Sequence, residues 1–238
     1  MKTIVLLHGH GVDASIWNKT KKLLSADYQI LTPDVSLLTT LANVEDYADW
    51  LKGWLNTQKV DKCTLIGHSM GGYIALAFAE KYPTLLDGFG LFHSTAYADS
   101  DEKREQRKKT LRFIEEHGAA AFIKKVGPDM YAEDFAKSHP TVIKKHIDTY
   151  SKLPTDAVAA GFKAIMARPD RTAILEETNQ AVLFILGDED KLIALDKTLP
   201  ITKLPKKSHT IIMKGVGHMG MVENPQEAAA AIHGFMNQ

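Results

Sequence analysis

The chain has 238 residues, of which 45% are hydrophobic and 24% are charged. Its 29 lysine and arginine residues balance 29 aspartate and glutamate residues, so it lacks the basic excess that draws proteins to nucleic acid or anionic lipid. A single cysteine, Cys63, excludes a disulfide framework and a cysteine-ligated zinc site. A chain of this length can bury a full core, and we expect it to need neither a metal nor a cofactor.

Short apolar runs rich in valine, isoleucine and leucine recur along the chain, each followed by turn residues. Such runs are typical of strands buried on both faces of a parallel sheet. The predicted strands are residues 3–7, 29–31, 63–66, 88–92, 181–186 and 210–213. Helical patterns separate most of them, at residues 14–25, 44–55 and 70–81, and a last helix follows the capping residue Asn224. The alternation predicts an α/β fold with a mostly parallel sheet of about six strands and helices on both faces.

The first apolar run also occupies the position of a secretion signal. It is too short for one and ends in the glycine-rich residues 8–11 without a small-residue cleavage site. The longest stretch without a charged side chain, residues 63–79, is shorter than the ~20 residues of a membrane-spanning helix. We therefore expect no membrane association and a cytoplasmic location.

Residues 96–175 interrupt the alternation, because they contain helical patterns and no convincing strand. We interpret this segment as an all-helical insertion that covers one end of a core made of residues 1–95 and 176–238. It contains a basic run, residues 103–109, that could attract anionic ligands. A solvated helix face is the interpretation we favour for that run, since acidic residues are interleaved with the basic ones.

Residues 67–71, Gly-His-Ser-Met-Gly, match the G-x-S-x-G motif between a predicted strand and a predicted helix. In that motif a serine lies on a very tight turn, and the flanking glycines let neighbouring backbone pass without a Cβ clash. Ser69 is therefore the candidate nucleophile. Its neighbour His68 points away on so tight a turn, and we expect it to line or support the site.

A serine hydroxyl needs a base, and the base needs a carboxylate that orients it. His218 lies in a glycine-flanked loop after the last predicted strand, from which it can reach the turn at Ser69. Acidic residues follow the predicted strand at residues 181–186. Among them we prefer Asp190, which three loop residues carry clear of the strand end, and keep Asp188 as the alternative.

Acyl chemistry at a serine also requires donors for the oxyanion. The backbone N–H of Met70, directly after the nucleophile, is one candidate, and the backbone N–H of His10 in the first loop is the other. The imidazoles of His8 and His10 are expected to be structural.

The order Ser69, Asp190, His218, behind a His-Gly-x-Gly loop at residues 8–11, resembles the α/β-hydrolase family over essentially the whole chain. The resemblance implies that the insertion is that family's cap domain and that residues 187–190 and 217–218 are its acid and base loops. The antiparallel strands that usually begin the family's sheet are missing here, which is why we expect about six strands. A serine at the turn, where an aspartate is required for epoxide opening or dehalogenation, leaves cleavage of esters, lactones, thioesters or the C–C bond of diketones. We expect a serine hydrolase acting through an acyl-enzyme on a small ester-like molecule, with carboxylic esters as the default.

Two other functions compete with this interpretation. Gly9, Gly11 and Ala14, with Asp34 twenty residues further on, meet the written form of a dinucleotide-binding fingerprint. A binding or sensing protein that keeps the triad and turns over slowly is the second alternative. The sequence leaves the oligomeric state open.

The substrate pocket is expected between the strand ends and the insertion, with an apolar lining suited to a small hydrophobic acyl group. The candidate lining residues follow strand ends or lie in the insertion: Trp17, Phe92, His93, Met130, Phe162 and Met219.

Overall fold

The computed structural model describes residues 1–237. Six parallel strands form one sheet in the order β2-β1-β3-β4-β5-β6. The strands are β1 (Thr3–Leu7), β2 (Gln29–Leu31), β3 (Cys63–His68), β4 (Leu86–Phe92), β5 (Ala181–Gly187) and β6 (Ser208–Met213). The predicted parallel α/β sheet of six strands is confirmed.

Eleven α-helices connect and cover the strands within the described part of the chain. They are α1 (Asn18–Leu24), α2 (Val44–Thr57), α3 (Met70–Lys81), α4 (Asp101–Val126), α5 (Glu133–Ser138), α6 (Pro140–Tyr150), α7 (Thr155–Ala167), α8 (Thr172–Glu177), α9 (Leu195–Thr198), α10 (Gly220–Glu223) and α11 (Pro225–Met236). In residues 1–237 no helix has the length and apolar character that crossing a membrane requires.

The two faces of the sheet bury alternate residues of each strand. Ile4 and Leu6 of β1 pack with α1, α11 and much of the insertion, while Val5 and Leu7 pack with α2 and α3. Because all strands run in the same direction, the loops that follow β1, β3, β5 and β6 meet at one edge of the sheet. That edge is where a site can be assembled.

Local signals account for most element boundaries. The side chain of Asn224 accepts the N–H of Glu227, and Pro225 begins α11, as the capping pattern predicts. Gly118, with φ of 82°, interrupts the regular helix geometry within α4. The predicted helix 14–25 is instead a 3₁₀ turn, Ala14–Trp17, followed by α1.

Helices α4 to α7 lie between β4 and β5 in the chain, within the predicted insertion. The limit drawn at residue 175 falls inside α8, whose Leu175 belongs to the same apolar cluster as the core helices α2 and α3. Arg171, just before α8, pairs with Glu80 at 2.9 Å and with Glu45, on α3 and α2. Helix α8 is therefore tied to the core helices α2 and α3.

Candidate active site

Ser69 lies on the tight turn between β3 and α3, with φ of 52° and ψ of −116°. A backbone in this region costs a non-glycine residue about 1–3 kcal/mol, so the surroundings must hold it. The Ser69 N–H donates to the Phe92 carbonyl at 3.0 Å, and the Ser69 carbonyl accepts from the Gly72 N–H at 2.9 Å and the Ser94 hydroxyl at 2.7 Å. Backbone bonds from both sides thus fix the turn.

The glycines of the motif are required by close approach. A Cβ on Gly67 would lie 2.0 Å from the Gly71 carbonyl oxygen, and a Cβ on Gly71 would lie 2.6 Å from the Leu7 carbonyl oxygen. In the first loop, a Cβ on Gly9 would lie 3.0 Å from Ser69 Cβ. The loop after β1 is therefore pressed directly against the turn.

His218 and Asp190 are in contact and buried, with 2% and 1% of their side-chain surfaces exposed. Nδ1 of His218 lies 2.7 Å from Asp190 Oδ2, and with the proton assigned to Nδ1 the ring donates this bond. The other oxygen of Asp190 accepts the N–H groups of Leu192 and Ile193 at 2.8 and 2.9 Å. Burial alone would raise the pKa of Asp190, but the charge and hydrogen bond of His218 outweigh it and the pKa is lowered.

Asp188, the alternative acid, is engaged elsewhere. Its Oδ1 accepts the N–H of Gly215 at 2.7 Å, and its Oδ2 lies 3.3 Å from Lys214 Nζ. Asp188 thus ties the loop after β5 to the loop after β6, while Asp190 is the carboxylate that contacts the imidazole.

The backbone of His218 is fixed on both sides. Its N–H donates to the Met130 carbonyl of the insertion at 2.8 Å, and its carbonyl accepts from His68 Nε2 at 2.9 Å. Burial lowers the pKa of His68 well below its usual range, so the ring is neutral and can serve as this donor. His68 therefore supports the histidine loop from behind.

Glu223 is a positioning residue that the sequence analysis missed. Its carboxylate accepts the N–H groups of Gly217 and Met219 on either side of His218, at 3.1 and 3.0 Å, and that of Ala132 at 3.0 Å. Burial raises its pKa. The signal available in the sequence was a lone acid one helical turn after Met219, in an otherwise apolar segment.

Ser69 and His218 line the same cavity, of about 220 Å³. No hydrogen bond joins Ser69 Oγ to the ring among the described residues; such catalytic contacts often tighten only when substrate binds. Met70 is the first residue of α3, so its N–H has no partner within the helix and is free for a ligand. The loop carrying His10 lies over the turn at Gly9.

The imidazoles of His8 and His10 have structural contacts. His8 accepts the Val35 N–H at 2.9 Å through Nε2 and donates to the Gly9 carbonyl at 2.8 Å through Nδ1. His10 Nε2 lies 2.7 Å from the Val158 carbonyl of α7, which ties the first loop to the insertion. Burial lowers the pKa of His10 to about 4, so the ring donates this bond as a neutral group.

Of the six predicted pocket residues, Met130 and Phe162 line this cavity. Trp17, Phe92, His93 and Met219 are fully buried and, within residues 1–237, do not line it. Trp17 and Phe92 instead pack edge to face at 5.2 Å in the core behind His68. A position just after a strand end does not decide whether a side chain turns to the cavity or to the core.

His93 lies behind the acid and not in the cavity. Its Nδ1 is 3.6 Å from Asp190 Oδ2, the oxygen that also contacts His218. Its backbone has φ of 47°, and a Cβ on Gly220 or Gly187 would come within 2.5 or 2.9 Å of its ring. Burial lowers the pKa of His93 to about 3, so a neutral ring fills the space behind Asp190.

The dinucleotide fingerprint has different contacts in the structure. Asp34 Oδ1 lies 3.2 Å from His8 Nε2 and accepts the N–H of Ser36 at 2.9 Å. At Gly11, with φ of 72°, a Cβ would come within 3.0 Å of Ile123 in the insertion. The Asp34 carboxylate is thus engaged by His8 and Ser36, and Gly11 packs against Ile123 of α4. Among residues 1–237 no group of three or more His, Cys, Asp or Glu side chains could hold a metal ion.

The chain is similar to several known proteins. The chain is 25% identical to 2-hydroxy-6-oxononadienedioate/2-hydroxy-6-oxononatrienedioate hydrolase 1 of Pseudomonas putida, over 94% of this chain and 84% of that protein. It is 26% identical to the protein RutD of Pantoea ananatis over 60% of this chain, and the match spans only 54% of RutD. A thermophilic esterase from Thermogutta terrifontis, solved with malate bound, superposes with a TM-score of 0.94 and 27% identity, covering 100% of this chain and 90% of the esterase.

These similar proteins are hydrolases, which supports a hydrolase role for the chain. The model of the alpha/beta hydrolase family matches residues 4–231, nearly the full length. The matched residues contain the parallel sheet, the serine turn after β3, and the contact between the loops after β5 and β6. The chain belongs to the alpha/beta hydrolase family.

Proposed function

We propose that this chain is a serine hydrolase that cleaves a small carboxylic ester, lactone or thioester through an acyl-enzyme on Ser69. One observation carries the proposal. The strained Ser69 shares a cavity with His218, whose Nδ1 is held by a buried carboxylate 2.7 Å away. A strained serine beside an oriented imidazole is the arrangement that makes a hydroxyl nucleophilic.

In the proposed first step Ser69 Oγ attacks the scissile carbonyl carbon while His218 Nε2 takes the hydroxyl proton. The negative charge that develops on the carbonyl oxygen is met by the backbone N–H groups of Met70 and His10. Collapse breaks the bond to the leaving group, which receives the proton from His218. Asp190 stays ionised and stabilises the imidazolium that forms between the two transfers.

In the second step water attacks the acyl-enzyme, with His218 as base and then as acid towards Ser69. In total, one ester and one water are converted to one acid and one alcohol. In both steps His218 accepts the proton from the attacking group and donates it to the leaving group. Each transfer uses only groups of this chain, the substrate and water.

The helices α4 to α7 act in this proposal as a cap that limits the size of the substrate. The cavity of about 220 Å³ is smaller than the roughly 300–1,000 Å³ usual for ligand pockets. Its walls include Phe122, Met130 and Phe162 from the insertion. This volume and lining favour a short acyl group.

Cleavage of a C–C bond is the second candidate, favoured by the likeness to the Pseudomonas putida hydrolase over 94% of the chain. A binding protein with slow turnover is the third. The experiment is a panel of p-nitrophenyl esters from acetate to octanoate, a lactone, a thioester and a vinylogous diketone, assayed with wild type and Ser69→Ala. We expect multiple turnovers of short esters that Ser69→Ala lowers at least 10³-fold. Activity that survives Ser69→Ala contradicts the serine mechanism, and stoichiometric binding without turnover supports the third candidate.

A further inference from the structure

Helix α4 forms one wall of this cavity, and positively charged side chains at that wall outnumber the negatively charged ones. The carboxylate of Asp99 accepts bonds from Nε of Arg107 and from Nη2 of Arg168, the latter at 2.7 Å. All three side chains are largely buried, with 17% of Arg107, 5% of Arg168 and 4% of Asp99 exposed. One carboxylate thus compensates one of two guanidinium groups.

Arg107 still has donors available. Its Nε and Nη2 both contact Asp99, and Nη1 has no hydrogen-bond partner among residues 1–237. Arg107 lines the same cavity as Ser69. Arg168 does not line it and lies behind its wall, over the Tyr73 ring at 4.2 Å and bonded to the Ile165 carbonyl. The uncompensated charge is therefore presented to the cavity by Arg107.

Lys103 adds a second cation on the same wall. It lies four residues before Arg107 on α4, so both side chains share one face of the helix, and both line the cavity. Within residues 1–237 Lys103 makes no salt bridge, although its neighbours Arg104 and Lys108 pair with Asp101 and Glu105. Partial burial and the nearby Arg107 lower the pKa of Lys103. Two like charges at this spacing oppose each other unless an anion lies between them.

No acidic side chain among the described residues lines this cavity, so nothing within it offsets the two cations. The basic run at residues 103–109 is thus not a uniform solvated face. Arg104 and Lys108 of this run pair with acids of the same helix, whereas Lys103, Gln106 and Arg107 line the cavity, Lys103 and Gln106 at its exposed side.

An apolar stretch separates these cations from the nucleophile. The Arg107 guanidinium lies 5.6 Å from the Phe162 ring, which in turn lies 5.5 Å from the ring of His10. Phe122 closes the same side at 6.0 Å from Phe162. The lining of this one cavity therefore combines Ser69, the aromatic side chains of Phe122 and Phe162, and two cations.

We propose that Lys103 and Arg107 form a carboxylate subsite, and that the substrate carries a free carboxylate a few bonds from its scissile carbonyl. This inference rests on the proposed function and specifies its substrate class. The carboxylate can belong to the acyl part, as in a half-ester of a short dicarboxylic acid, or to the leaving group, as in an ester of a hydroxy acid. Guanidinium and ammonium groups recognise carboxylates through charge-assisted hydrogen bonds in both cases.

The test compares kcat/KM for matched esters that differ in one charge. The acyl-side pair is mono-p-nitrophenyl glutarate and its methyl ester, and the leaving-group pair is acetyl glycolate and its methyl ester. We expect wild type to prefer the anionic member of one pair at least tenfold, which also identifies the side that carries the carboxylate. Lys103→Gln and Arg107→Gln should each lower that preference roughly tenfold. Lys109→Gln, an exposed cation of the same helix that does not line the cavity, is the matched control and should leave the preference unchanged.

A second measurement separates this proposal from the proposed function. Calorimetry with glutarate and the Ser69→Ala protein should detect binding that Lys103→Gln weakens about tenfold. If neither ester of a pair is turned over but glutarate binding depends on Lys103, the subsite stands and the hydrolase proposal fails. The opposite result is that neutral esters are hydrolysed, that no anionic ester is preferred, and that Lys103→Gln leaves glutarate binding unchanged. That result overturns the subsite and leaves the hydrolase proposal standing. Thermal unfolding of Arg107→Gln verifies that the Asp99 cluster still folds.

Discussion

Nδ1 of His218 lies 2.7 Å from Asp190 Oδ2, the two side chains coming from loops that follow different strands. The nearby Asp188 contacts the Gly215 N–H and Lys214 instead. This difference separates a carboxylate that orients the imidazole from one that fastens two loops.

The two aspartates therefore predict different kinetic effects. Asp190→Asn should lower kcat for a short p-nitrophenyl ester by roughly 10⁴, because an amide neither holds the required tautomer nor stabilises the imidazolium. Asp188→Asn is the matched control and should stay within a few-fold of wild type, since the amide oxygen can still accept the Gly215 N–H. Equal losses of kcat in the two variants would contradict the assignment of Asp190, and not Asp188, as the carboxylate that orients the imidazole.

Because the backbone at Ser69 is strained, a glycine at this position should give a higher free energy of unfolding than an alanine, although both remove the hydroxyl. Glycine adopts φ of 52° with ψ of −116° without a Cβ clash, so Ser69→Gly should exceed Ser69→Ala in free energy of unfolding by about 1 kcal/mol. Urea denaturation of the two variants measures the difference. Ser69→Ala is the control for loss of the hydroxyl, and a Ser69→Gly protein no more stable than Ser69→Ala would argue against strain at this turn.

The close approach at Gly71 predicts that the turn does not accept a side chain. In Gly71→Ala the added methyl would lie 2.6 Å from the Leu7 carbonyl oxygen, and we expect a loss of at least about 2 kcal/mol. Gly234→Ala in α11 is the control, because no atom lies within 4 Å of its Cβ position, and it should gain about 0.5–1 kcal/mol. Similar unfolding free energies for both variants would contradict the geometry of the turn.

Burial of His93 predicts a pH-dependent stability. Its pKa falls from 6.5 to about 3 in the folded protein, so between these values the unfolded chain binds the proton and the folded chain does not. Stability is therefore retained above pH 6.5 and lost as the pH falls below it. From pH 7.5 to pH 5 this group alone should cost about 2 kcal/mol of unfolding free energy.

The variant for this measurement is His93→Asn, because asparagine tolerates a positive φ. Urea unfolding at the two pH values should show a loss smaller by about 2 kcal/mol in His93→Asn than in wild type. An identical loss in both proteins would mean that His93 is not held neutral in the fold.

Much of the fold is predictable from the sequence because its signals are local. The apolar runs are uninterrupted where strands are buried on both faces, and Gly118 and Asn224 mark helix limits through their own backbone and side-chain preferences. The serine turn belongs to this class only in part. Gly67 is required by the carbonyl of Gly71 four residues further on, whereas Gly71 is required by the Leu7 carbonyl of a distant strand.

Other features depend on how distant elements pack. The burial of Trp17 and Phe92 behind His68, the reach of Glu223 to Ala132, and the turn of Lys103 and Arg107 towards the cavity all involve segments far apart in the chain. Residue type and position after a strand do not fix the direction of a side chain. For this reason the sequence identified candidate chemistry at the strand ends, whereas four of the six predicted pocket residues do not line the cavity that contains Ser69.

The most direct test of the central claim is covalent labelling followed by peptide mass spectrometry. A fluorophosphonate probe reacts with a serine only when that hydroxyl is activated by a neighbouring base. We predict one adduct per chain on the peptide that contains Ser69, much slower labelling of His218→Ala, and none of Ser69→Ala. An adduct on another residue, or equal labelling of Ser69→Ala, would contradict the account.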